Sequence, residues 1–165
     1  VDEASQALEP LQNADVPPSY WLLLGRVRLR LQMALPTTDR DWSGVEAALD
    51  TAQSKKASSP LLAILRAELL IARRDFAAAE AILTKAQAEH ADDLGLWCAR
   101  VDLAVLRGRI DEADQMLRDA ATRFHDPLPI RLAQIRLWGL RGNADDLAQL
   151  ALITKTSFRR QDQTR

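Results

Sequence analysis

Cysteine is almost missing from this chain. Cys98 stands alone among 165 residues, so no intrachain disulfide braces the fold, and cysteine usage leaves the redox compartment open. Histidine occurs twice, which leaves little material for metal ligation or acid–base work. Six glycines, seven prolines and few β-branched runs argue against a sheet of short strands and tight turns. Charge of one sign is also missing: 22 basic residues face 23 acidic ones, without the clustered basic face that nucleic acid requires. No apolar run reaches the length of a membrane span, since the stretch from Leu61 to Ala72 is interrupted by Arg66 and Glu68. The sequence has no signal peptide and starts at Val1 without a methionine, from which we expect a piece of something longer.

What remains is 47% hydrophobic, rich in Ala and Leu, with Arg, Glu and Asp between them, the composition of an all-helical protein. Its order is periodic. Gly108-Arg109-Ile110 is followed by Ala113, Leu117 and Ala120, the pattern of a turn and a second helix. Thirty-four residues earlier stand Arg74-Asp75-Phe76, then Ala79, Leu83 and Ala86. Thirty-four residues later come Gly142-Asn143-Ala144, then Leu147, Ala151 and Thr154. A further step back gives Arg40-Asp41-Trp42, then Val45, Leu49 and Ala52.

The period sets the boundaries. Residues 1–16, with Ala4, Leu8 and Leu11 on one face, read as the second helix of a preceding repeat. Residues 18–58 form a repeat with an insertion near 32–40, because Trp21 to Trp42 spans 21 residues where Trp97 to Ile110 spans 13. A lengthened first helix and a loop at Pro36-Thr37-Thr38-Asp39 are expected there. Repeats follow at 59–93 and 94–127, a degenerate one at 128–156, and a polar tail at 157–165. Ser59-Pro60 predicts a helix start, and Asp41, Asp75 and Asn143 fall where second helices need an N-cap, whereas Arg109 caps poorly.

A period of 34 with small, large and small columns resembles the tetratricopeptide repeat family, as do Trp21, Leu24, Gly25 and Arg28 in the first helix. The likeness covers nearly the whole chain and departs from the family at Arg66, Arg100 and Gln134, where Leu is usual. It implies one right-handed superhelical α-solenoid, in which one helix pair cannot bury its apolar face alone and stacking supplies the core. Gly25 would let a neighbouring helix approach. The ends, with Leu8 and Leu11 at one and Leu147, Leu150, Ile153 and Phe158 at the other, are expected to be covered by self-association or by more chain.

The resemblance also implies a concave groove lined by first helices. Carried over by column, the lining is Leu22, Arg26 and Leu29, then Ile64, Glu68 and Ile71, then Cys98, Asp102 and Val105, then Leu132 and Arg136. Some relatives clamp a terminal carboxylate with Lys, Asn and Arg; here those columns hold Leu22, Ile64, Cys98 and Leu132, so that clamp is missing. The expectation is a non-enzymatic module that takes a protein or peptide partner in an apolar groove, without cofactor, metal, nucleic acid or membrane insertion. The alternative is an architectural spacer within a larger protein, its Arg26–Glu68 and Asp102–Arg136 pairs only bracing the scaffold. His90 and His125 lie a repeat apart and do not converge on a site, and Cys98 has no histidine placed to activate it. The four tryptophans fall at core-like columns and a turn, which favours packing over base stacking.

Overall fold

The computed structural model describes residues 16–55, 59–125, 127–142 and 148. Seven α-helices account for them: α1 (Pro18–Ala34), α2 (Ser43–Ser54), α3 (Pro60–Ala72), α4 (Phe76–Glu89), α5 (Leu94–Leu106), α6 (Ile110–Arg123) and α7 (Leu128–Arg141). No strand occurs among the described residues. The chain divides into two compact units, Val1–Ala99 and Arg100–Arg165. The helix expected before Val16, the cap at Asn143, and the apolar positions offered as uncovered ends lie outside the described residues.

In the first unit α1 folds back on α2 and α3 on α4, while α3 also packs against both α1 and α2. The core joins Trp21, Leu24 and Leu29 of α1 to Val45, Ala48 and Leu49 of α2 and Leu62, Leu65 and Leu69 of α3. The columns read from the period are buried: Leu49 and Leu83 at 1% and 0% exposure, Ala79 at 0%, and in the second unit Leu117 and Ala113 at 0%. Gly25 does what its column requires. A Cβ built there meets Leu49 Cδ2 at 2.8 Å, so the missing side chain is what admits α2.

The period is also written in the backbone. Arg74 and Gly108 both adopt the left-handed conformation, at φ 65° and 71°. In each turn the next residue's N–H donates to the carbonyl five residues back, Asp75 to Leu70 and Arg109 to Ala104, both at 2.9 Å. This helix-ending motif satisfies carbonyls left over at the C-terminus. Gly142 is left-handed too, at φ 63°, one period further on. Asp75 then caps α4, its Oδ1 accepting from the Ala78 N–H at 3.1 Å, while Arg109 gives α6 no side-chain cap. Ser59 caps α3 by accepting from the Leu62 N–H.

The insertion changes the first hairpin. Helix α1 has 17 residues against 13 in α3, and ends where Leu35, preceding Pro36, turns extended. A short 3-10 turn, Thr37–Asp39, follows. No left-handed residue ends α1; the Arg40 side chain caps it instead, Nε donating to the Leu35 carbonyl at 3.0 Å and Nη2 to that of Met33 at 3.2 Å. Asp41 is not the helix cap expected, since Trp42 occupies that place. Its carboxylate accepts from the Ser43 N–H and hydroxyl just ahead of α2, which holds its pKa below the ordinary 3.8.

One column was not anticipated. Arg73 Nη1 donates to Glu46 Oε1 at 2.7 Å, fastening α3 to α2, and two periods later Arg141 Nη1 lies 3.4 Å from Asp114 Oδ2, fastening α7 to α6. Arg141 Nη2 also reaches Asp111 at 2.8 Å, and Arg118 joins Asp114, which is itself buried. The same clasp thus joins a second helix to the following first helix in each unit.

Candidate partner-binding face

The sequence-predicted lining separates in the structure. Leu22 and Leu29 are core residues, at 6% and 0% exposure, because the α2 and α3 side chains close over that side of α1. They offer no surface to a partner. Arg26 is exposed, and Ile64, Glu68 and Ile71 on α3 are half-buried. Cys98, on the part of α5 within the first unit, is half-buried. In the second unit Val105 is half-buried, and Asp102, Leu132 and Arg136 are exposed.

What α1 presents is a stripe one position from that expected: Leu23, Arg26, Arg30 and Met33, all exposed and spaced three and four residues apart. Leu23 is 60% and Met33 41% exposed. On α3 the corresponding stripe is Leu61, Ile64, Glu68 and Ile71, with Leu61 exposed and the others half-buried. Arg30 Nη2 lies 3.7 Å from Glu68 Oε1 and so ties the two stripes into one face. The expected partner of Glu68 was Arg26; Arg30, one turn further along α1, takes that place. Arg26 makes no hydrogen bond or ion pair among the described residues. Leu23 and Met33 were missed because the lining was carried over by column, and two of those columns, Leu22 and Leu29, point into the core.

In the second unit Asp102 and Arg136 interact through charge alone. Loss of water raises the Asp102 carboxyl above the ordinary 3.8, and the Arg136 guanidinium opposes that shift, although Asp102 as a residue remains exposed. Leu128, Leu132 and Leu140 are exposed along α7.

A separate open cleft of about 340 Å³ lies in the first unit, with Leu62, Ala63 and Arg66 of α3 beside Gln53 of α2 and Ile82, Lys85 and His90 at and after α4. Arg66 is already engaged there, Nη2 donating to Asp50 at 2.6 Å and to Gln53 at 2.7 Å. Among the described residues no group of three potential metal ligands gathers, and no helix is long and apolar enough to cross a membrane. Trp21 and Trp138 are buried; Trp97 is half-buried and donates from Nε1 to the Ala91 carbonyl at 3.0 Å, a packing role. Trp42 is half-buried beneath the Arg40 guanidinium.

No family model, curated protein or solved structure matches the chain.

Proposed function

We propose that the chain is a non-enzymatic protein-interaction module, a tetratricopeptide-like right-handed solenoid whose first helices receive a partner segment. The observation that carries this reading is the α1–α3 face, where Leu23, Met33 and Leu61 stand exposed beside half-buried Ile64 and Ile71. Exposed apolar side chains scattered singly need no explanation, but here Leu23 and Met33, with Arg26 and Arg30 between them, stand beside Leu61, Ile64 and Ile71 of the adjoining helix, a mixed surface with an apolar share for a partner to cover. A helix laid along this face buries that share, the mode of helix-in-groove recognition. The left-handed turn and the Arg–carboxylate clasp support the solenoid reading, since each recurs at a multiple of the 34-residue period.

The spacer reading draws on the Arg30–Glu68 pair, which braces adjacent helices. That pair is long and more than half open to water on the Arg30 side, a contact that contributes little. It leaves the apolar share unexplained.

Selection of binders from a displayed library of helical peptides tests the proposal. A module yields peptides whose affinity collapses with Ile64→Glu, in a variant shown to remain helical and cooperatively folding. A spacer yields none, or peptides indifferent to that change.

A further inference from the structure

Arg26 sits in the middle of the exposed α1 stripe, between Leu23 and Met33, and carries a charge that nothing among the described residues neutralises. Its neighbour Arg30 is matched by Glu68 at 3.7 Å; Arg26 has no such counterpart. A purely apolar helix docked over this face would strip water from the Arg26 guanidinium and leave it unpaired, which is costly. A basic segment would meet like charge at Arg26 and Arg30, opposed only by Glu68, which Arg30 already engages. A segment with a carboxylate at the right place in its apolar stripe would pair with the guanidinium instead, and a charge-assisted hydrogen bond fixes register as well as adding affinity.

We infer that the occupant of the α1–α3 face is an amphipathic helix of another protein that carries an acidic side chain within its apolar stripe, placed to meet Arg26. This rests on the partner-binding reading above and gives it a charge. The acid is a side-chain carboxylate, distinct from the terminal carboxylate gripped by the clamp that this sequence lacks. Leu23 and Met33 on one helix and Ile64 on the other supply the apolar contacts on either side of it.

The test uses three helical peptides with the same leucine stripe and Glu, Gln or Lys at one position within it, titrated into the whole chain by fluorescence anisotropy. The Glu peptide should bind about three- to fivefold tighter than the Gln peptide, the worth of a partly exposed ion pair, with Lys weakest. Arg26→Glu should reverse the order of Glu and Lys. The substitution is at an exposed position and should leave helicity and thermal unfolding unchanged. Equal affinities for Glu and Gln, or an order unmoved by Arg26→Glu, would overturn the acidic partner while leaving the module in place. No binding by any peptide would remove both. Concentration-dependent dimerisation abolished by Arg26→Glu would make a second copy the occupant and overturn the inference too.

Discussion

Arg74 and Gly108 hold the same backbone conformation one period apart, φ 65° and 71°, each followed by the same hydrogen bond across the turn. Only one of them is suited to it. A side chain in the left-handed region crowds the adjoining carbonyl, at a cost of about 1–2 kcal/mol.

Arg74→Gly should therefore stabilise the chain, by about 0.5–1 kcal/mol after the greater freedom of glycine in the unfolded chain is set against the relief. Gly108→Ala should destabilise it by about 1 kcal/mol, although a Cβ there meets nothing within 4 Å. Urea denaturation of both variants decides the matter. Equal and unchanged midpoints would mean that the turn tolerates any residue.

Two other glycines separate crowding from flexibility. At Gly25 an added Cβ meets Leu49, whose side chain is held in the core at 1% exposure and cannot swing away. At Gly139, inside α7, an added Cβ meets nothing within 4 Å. Gly139→Ala should gain about 0.5–1 kcal/mol from helix propensity. Gly25→Ala makes the same gain and loses about 1–3 kcal/mol to overpacking, leaving a net loss of up to about 2 kcal/mol. Thermal unfolding should show shifts of opposite sign.

Asp102 should make stability depend on pH. Its carboxyl is raised above 3.8 by loss of water, with Arg136 pulling the other way. The folded chain then holds this proton more tightly than the unfolded chain, so its contribution favours folding at low pH and is lost as pH rises from 3.8 through the raised value. Asp102→Asn should flatten that slope, and Arg136→Gln should raise the carboxyl further. Carbon-detected NMR titration of Asp102 reads both. A midpoint at or below 3.8 would contradict the account.

The helices and their hairpins were legible because the period of 34 fixes turns and buried columns together. The period places helices over Pro60–Arg73, Phe76–His90, Leu94–Arg107, Ile110–Phe124 and Leu128–Arg141; α7 matches these bounds, and α3 to α6 each stop one residue short. The lengthened α1 was legible as well, since eight extra residues ahead of Trp42 had to go somewhere. Which of its residues turn inward was not: Leu22 and Leu29 are core, Leu23 and Met33 are exposed, and Glu68 pairs with Arg30 in place of Arg26. The Arg73–Glu46 and Arg141–Asp114 clasps were readable as charges two periods apart, but residues 27 positions apart in sequence draw no notice until stacking brings them together. Arg40 replacing a left-handed turn was beyond reach, because a long side chain bonding back to two carbonyls leaves no pattern in sequence.

The central claim, that the first-helix face receives a partner, is tested most directly by amide chemical-shift mapping of the chain with a selected helical peptide. The account predicts perturbations concentrated at Leu23, Arg26 and Met33 on α1 and at Leu61, Ile64 and Glu68 on α3, with α2 and the outer face of α4 unmoved. Perturbations confined to α2, α4 and the cleft around Lys85 and His90, with the α1 stripe silent, would contradict it.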